Sequence, residues 1–89
     1  MFAVMLNRYL LITTIGPDRP GLISEISSIV ANFGCNIEDI EQVVMKNIFI
    51  LSMIVKVPNN VNINKFKEKM RNLCFDLGLE VSFYYAGSE

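Results

Sequence analysis

Hydrophobic residues along the chain follow two spacings, which predict a strand followed by a helix. Residues 9–15 are β-branched and aromatic, as is typical of a strand. The segment GPDRPG then interrupts the strand, because it crowds two prolines and two glycines into six positions. From Leu22 onward, apolar residues recur at helical spacing as far as Phe33, and Gly34 is a good helix stop.

The second half of the chain predicts a hairpin, a helix and a last strand. Residues 36–46 and Ile48–Val57 are strand-like, with the turn at Lys46-Asn47 because Asn tolerates a positive φ. A helix follows and ends at Gly78, and residues 79–85 form the last strand. One face of that helix is apolar: Ile63, Phe66, Met70, Leu73, Cys74 and Leu77.

The predicted order is βαββαβ, which indicates an α+β, ferredoxin-like fold. The sheet would have four antiparallel strands, with both helices on one face. The 89 residues form one domain, with no repeat or low-complexity segment. We assign residues 8–89 to this domain and interpret residues 1–7 as a short apolar N-terminal extension, too short to span a bilayer.

The strand Ile48–Val57 is apolar on both sides, which is unusual for a sheet with one wet face. Two helices cover only one of those sides, so a partner chain is the favoured cover for the other. The alternative is that these are ordinary surface hydrophobics. The outer face of the first helix carries Ser24, Ser27, Ser28 and Ala31, which suits either a close neighbour or solvent. Phe75 lies opposite the apolar stripe of its helix, so it contacts another chain or the helix ends early.

Composition excludes several kinds of function. The formal net charge is -1, so no global basic field attracts nucleic acid or an anionic membrane. The chain has no histidine, which removes the usual metal ligand and the usual acid–base group, so we expect no catalysis, metal or cofactor. Cys35 and Cys74 are too few for a disulfide framework and indicate buried, unpaired thiols of a cytoplasmic protein.

Two charged stretches have ordinary interpretations. Glu38, Asp39 and Glu41 form an acidic cluster, which is conceivable as a metal site but is better explained as protection of an edge strand. The run KFKEKMR holds half of the eight Lys and Arg residues, and Glu68 interrupts it. A solvated helix face explains it better than RNA binding does.

The loop between the first strand and the first helix contains residues that are typical of a helix start, and one glycine that a helix start does not explain. Pro20 suits the first helical turn, and Asp18 is a candidate N-cap. Gly21 fits neither explanation, because glycine in a first turn costs up to ~1 kcal/mol relative to alanine. Close approach of a ligand or a neighbouring backbone would account for Gly21.

These residues resemble the ACT domain, a ligand-sensing module of amino-acid metabolism. The family pattern is Asp-x-Pro-Gly-x-apolar after a strand, and then Gly-x-Asn-Ile at the start of the second strand. Here the first motif spans residues 18–22 and the second spans residues 34–37, and the likeness covers nearly the whole chain after Asn7. Residues 36–55 further resemble two subgroups, the small stand-alone ACT proteins and the amino-terminal regulatory domain of phosphoserine phosphatases. A domain related to the second subgroup occurs in the repressor of the glycine cleavage system.

The resemblance implies a homodimer or higher oligomer, with sheets and first helices side by side and a small amino acid such as serine or glycine bound between chains. The implied ligand-binding residues are Gly16, Asp18, Arg19, Pro20, Gly21, Leu22, Asn36 and Ile37. The regulated partner would be a separate metabolic enzyme, such as a phosphoserine phosphatase, or a regulator. Some family members keep only the fold, so a ligand-free interaction module is the alternative, and an RNA-binding domain is less favoured.

Overall fold

A computed structural model describes residues 7–88 and confirms the order of elements. In chain order these are β1 (Arg8–Pro17), α1 (Leu22–Asn32), β2 (Asn36–Met45), β3 (Ile48–Val57), α2 (Ile63–Leu77) and β4 (Glu80–Ser88). The predicted N-terminal extension lies, apart from Asn7, outside the described residues.

The four strands form one antiparallel sheet in the order β2-β3-β1-β4, as the ferredoxin-like prediction requires. Strands β3 and β1 are central, whereas β2 and β4 are the edges. Both helices cover the same face, where every second residue of β3 is buried. The largest fully buried side chains are Phe49, Phe66, Leu10, Ile12, Leu22, Ile26, Leu51, Met53, Met70, Val30, Val55 and Val57.

The predicted turn and helix stop are confirmed by the backbone. Lys46 and Asn47 have φ of 47° and 68°, which is the conformation of a two-residue type I′ hairpin turn. After α1, Gly34 has φ of 73°, and the N–H groups of Gly34 and Cys35 donate to the carbonyls of Ala31 and Val30. This pair of bonds is a Schellman motif, which satisfies carbonyls that the end of a helix leaves free.

Strand β1 continues two residues further than predicted, because Gly16 and Pro17 still pair with Phe49 and Ile48. Gly16 is required there by packing: a Cβ atom would lie 2.6 Å from Cδ2 of Leu79 and 2.8 Å from the carbonyl oxygen of Gly78. The connection between α2 and β4 therefore leaves no room for a side chain on Gly16.

The open face of the sheet is apolar at one end, as the pattern of β3 indicates. Strand register places Ile48 beside Met45, and Ile50 between Val43 and Ile15. Four of these five side chains, all except Ile50, keep about half of their surface exposed. No element within residues 7–88 covers this face, so its cover by a partner stays a prediction.

Two smaller predictions about the helices have clear outcomes. Cys35 and Cys74 are buried and unpaired, as expected. Helix α2 continues to Leu77, so early termination does not explain Phe75, which is 84% exposed. Across residues 7–88, no helix combines the length and apolar character that a membrane crossing needs.

Candidate functional site

The connection from β1 to α1 is held against the β2–β3 turn. The backbone N–H of Asp18 donates to the carbonyl oxygen of Asn47 at 2.9 Å. Pro20 and Gly21 form a turn, and α1 begins at Leu22. The prediction that Pro20 occupies the first helical turn is therefore wrong, because the left-handed residue Gly21 stands between Pro20 and the helix.

The N-terminus of α1 has no side-chain cap. Gly21 is the N-cap residue, with φ of 88° and ψ of 0°, and no side chain accepts a hydrogen bond from the first turn. The carbonyl of Gly21 accepts the first helical bond, from the N–H of Glu25 at 3.0 Å. The prediction that Asp18 caps α1 is therefore wrong, because the left-handed turn separates Asp18 from the helix.

The same geometry corrects the interpretation of Gly21. A positive φ favours glycine, so the backbone alone accounts for this residue without a ligand. A Cβ atom on Gly21 would meet nothing within 4 Å in this chain, so no neighbouring part of the chain approaches it closely.

An open cavity of about 490 Å³ lies at this uncapped helix end. Its volume is within the ~300–1,000 Å³ range of small-molecule sites. The cavity is lined by Asp18, Arg19, Pro20, Gly21, Leu22, Ile23, Ser24, Gln42 and Phe49. Phe49 and Leu22 are buried and supply an apolar base, whereas Asp18, Arg19, Ser24 and Gln42 are exposed and polar.

Gln42 is the polar lining residue that the motif does not indicate. It comes from edge strand β2 and pairs with Leu51, so it lies on the helix-covered side of the sheet. The two-residue turn at Lys46-Asn47 fixes this register. Counting back from that turn would have placed Gln42 beside the loop, and this signal was present in the sequence.

The structure separates the predicted site residues into two groups. Five of them, residues 18–22, line the cavity, whereas Gly16 does not. Asn36 pairs with Lys56, and Gly16 pairs with Phe49, seven residues away along β3. At about 3.3 Å per residue the separation is roughly 23 Å. Asn36 and Ile37 therefore do not reach this cavity within one chain.

The distant group has its own electrostatic surroundings. Asn36 is exposed, and the preceding Cys35 is buried. Burial raises the pKa of the Cys35 thiol, while the positive charge of Arg8 acts in the opposite direction. The Arg8 guanidinium donates to the carbonyl oxygens of Pro58 at 2.9 Å and Val61 at 2.7 Å, and so holds the loop before α2.

The acidic residues of β2 lie at an edge of the sheet, where the protective interpretation places them. Glu38, Asp39 and Glu41 are all exposed, and the pairing with β3 shifts register between Ile37 and Asp39. Among residues 7–88 no three Asp, Glu, Cys or His side chains are grouped closely enough to hold a metal ion. Edge charges and a bulge both discourage unspecific strand pairing.

Comparison with known proteins supplies the family. The family model for the ACT domain matches residues 8–84. The UPF0237 protein of Methanopyrus kandleri is 38% identical over 71 residues, which are 79% of each chain. The glycine cleavage system transcriptional repressor of Escherichia coli is 52% identical over 33 residues, 37% of this chain and 17% of the repressor.

A solved structure agrees with the fold. An ACT domain protein from Streptococcus pneumoniae superposes with a TM-score of 0.78 at 23% identity, covering 89% of this chain and 90% of that one. At this identity the likeness supports the architecture alone.

Proposed function

Because the chain belongs to the ACT domain family, we propose that it is a regulatory, non-catalytic domain that binds a small amino acid such as serine or glycine. The observation that carries this proposal is the polar cavity at the uncapped N-terminus of α1. An open helix N-terminus attracts a carboxylate, because its N–H groups and the helix dipole both favour negative charge.

The cavity offers a complementary group for each end of an amino acid. The N–H groups of the first turn of α1 would bind the carboxylate, and the Asp18 carboxylate would bind the ammonium group. Gln42 and Ser24 lie on the same cavity and would bind a small polar side chain. Arg19 supports the carboxylate by its charge. The left-handed turn at Gly21 leaves the space in front of the helix open.

The roughly 23 Å between Asn36 and the loop is consistent with a site shared by two chains. Strand β2 is an edge, so two copies can pair their β2 strands antiparallel about a two-fold axis. Such pairing moves Asn36 of the partner subunit toward Gln42 of the first subunit. Asn36 would then donate to and accept from the ligand, and Ile37 would anchor the start of the strand.

The exposed faces beside β2 agree with this dimer. Ser24, Ser28 and Ala31 are exposed on α1 and small enough for a close approach of a second α1. Three carboxylates per chain lie on the pairing strand, so their mutual repulsion should weaken the dimer at low ionic strength. Salt should therefore tighten it, whereas salt weakens an RNA complex.

The domain would act on a separate metabolic enzyme, such as a phosphoserine phosphatase, or on a regulator in the cytoplasm. The match to the Escherichia coli glycine cleavage repressor supports a regulatory role in amino-acid metabolism. Binding of the amino acid at the subunit contact would stabilise one arrangement of the dimer, which the partner would recognise.

A thermal-shift screen against the common amino acids tests the proposal. A ligand at 100 times its Kd stabilises the folded state by about 2.7 kcal/mol, which shifts the midpoint of a small domain by several degrees. Gln42→Ala should reduce the shift without lowering the midpoint of the free protein, because Gln42 is exposed. If no amino acid shifts the midpoint, the proposal of ligand binding is wrong.

A ligand-free interaction module is the second candidate. It is favoured by the half-exposed apolar side chains on the open face of the sheet, which are Ile15, Val43, Met45 and Ile48. Light scattering distinguishes the two proposed interfaces. Ser28→Arg should weaken a dimer formed through α1 and β2, whereas Ile48→Lys should weaken one formed through the open face. A monomer at all concentrations would contradict both interfaces.

A further inference from the structure

Helix α2 and edge strand β4 meet at the edge of the sheet opposite β2, the strand that lines the cavity. We call Lys67, Arg71, Phe83 and Tyr85 the β4 border. Tyr85 is 63% exposed, so an aromatic side chain of this border is open to a partner.

Two cations are ordered along this border by one aromatic ring. The Lys67 ammonium lies 5.7 Å and the Arg71 guanidinium 5.2 Å from the centroid of the Phe83 ring. Within residues 7–88 no carboxylate forms an ion pair with either cation. Their positive charge is therefore held at the sheet edge and is available to an outside partner.

The backbone of β4 is equally available. Among the described strands β4 pairs only with β1, so alternate N–H and C=O groups point away from the sheet. The other edge strand, β2, carries three acidic residues, Glu38, Asp39 and Glu41. Strand β4 carries only one acidic residue, Glu80, at its start. The β4 edge is thus less protected against strand addition than β2.

The spacing of the two cations matches that of an added strand. Lys67 and Arg71 are four residues apart on α2, so they are about 6.0 Å apart along the helix. Alternate residues of a strand are about 6.6 Å apart on one face. Two successive side chains on the helix side of an added strand would therefore meet Lys67 and Arg71 in turn.

We propose that the β4 border binds an extended acidic segment of another protein, which adds to β4 as a fifth, antiparallel strand. An antiparallel segment runs in the direction from Lys67 to Arg71, because α2 and β4 run in opposite directions. Its recognised pattern is acidic-x-acidic, with the carboxylates on Lys67 and Arg71.

The β4 border and the cavity lie at opposite edges of the sheet, because β4 and β2 are its two edge strands. A dimer formed through β2 would leave both β4 borders free, so each subunit could bind a partner while the amino acid is bound. The proposal stands on the border itself and does not require the amino-acid site to be functional.

The test uses a nine-residue synthetic peptide, the length of β4, with Glu at its third and fifth positions and Thr elsewhere. Two-dimensional NMR should show shifts of the β4 amides and of Arg71. A peptide with Lys in place of Glu should bind at least tenfold more weakly, because its charges repel the border. A peptide with Pro at alternate positions should also lose binding, because it lacks the N–H groups of an added strand.

Matched variants locate the site. Arg71→Glu should weaken peptide binding about tenfold, with little effect on the melting midpoint because the side chain is exposed. Lys69→Glu makes the same change of charge on another face of α2 and should alter binding less than about twofold.

Several results would overturn the proposal. These are equal binding of the Lys and Glu peptides, equal effects of Lys69→Glu and Arg71→Glu, or amide shifts confined to β2. Self-association of the wild-type protein that Arg71→Glu abolishes would also overturn it, since the occupant would then be a second copy of this chain.

Discussion

The two helices of this domain begin in different ways. Helix α2 is capped by Asn62, whose side-chain oxygen accepts from the N–H groups of Asn64 and Lys65 at 3.1 Å. Helix α1 begins after the left-handed turn of Gly21, without a side-chain cap, and faces a cavity of about 490 Å³. One helix end is thus satisfied within the chain, and the other remains available to an external anion.

The two helix starts show that residue types with the same capping preference can have different roles. Asp18 and Asn62 are both residue types that commonly cap helices. Only Asn62 stands immediately before its helix, whereas Pro20 and Gly21 turn the backbone between Asp18 and α1. The loop before α1 therefore keeps a carboxylate and a row of N–H groups apart, as the binding of a zwitterion requires.

Of the two glycines around this loop, Gly16 should give the largest effect on stability. Gly16→Val should cost roughly 3 kcal/mol or more, because its side chain would collide with Leu79 and the carbonyl of Gly78. Gly21→Ala should cost about 1–2 kcal/mol, because the backbone has φ of 88° but the space is open. Urea unfolding measures both. Equal losses would show that crowding does not distinguish the two positions.

The two cysteines, which lie near the C-terminal ends of α1 and α2, differ in how they respond to pH. Burial raises the pKa of Cys74 from 9.0 to about 11. Because the unfolded chain loses this proton first, the stability that the neutral thiol provides is complete below pH 9 and is lost as pH rises toward 11.

This loss should amount to about 2–3 kcal/mol and should be absent from Cys74→Ala. Unfolding of both proteins between pH 8 and pH 11 gives the difference, from which contributions common to the two proteins cancel. A constant difference across this range would contradict the assignment to Cys74. The effect at Cys35 should be smaller, since Arg8 opposes the effect of burial there.

Asn62, which caps α2, and Asp18, which does not cap α1, should give the smallest effects. Asn62→Ala should destabilise the domain by about 1 kcal/mol, because it removes two hydrogen bonds from the first turn of α2. Asp18→Ala should change the stability of the free protein by less than about 0.5 kcal/mol, because Asp18 is exposed and caps nothing. Thermal unfolding of the two variants without ligand checks both values.

Most of the architecture could be predicted from the sequence, because periodicity and turn residues act locally. The strand Ile48–Val57, the turn at Lys46-Asn47 and the helix stops at Gly34 and Gly78 all agree with the structure. The errors fall on the loop before α1. There the position of the helix start depends on one backbone angle at Gly21, which residue preferences do not determine.

The candidate site was harder to predict because it depends on contacts between distant residues. The role of Gly16 follows from the position of Leu79, which is remote in sequence. Gln42 could have been found from the register of the hairpin, whereas the cavity that it lines required the structure. In the proposed dimer, Asn36 of one subunit lies near the β1–α1 loop of the other. A single sequence carries no direct signal for a contact between two chains.

Calorimetry of the amino acid found by the thermal-shift screen, with Asp18→Ala and Asn62→Ala compared, tests the central claim most directly. Asp18→Ala should weaken binding at least tenfold, because a charge-assisted hydrogen bond contributes roughly 1.5–3 kcal/mol. Asn62→Ala should bind with unchanged Kd, although it is the less stable protein. Equal affinities of both variants and the wild type would show that the uncapped end of α1 is not the binding site.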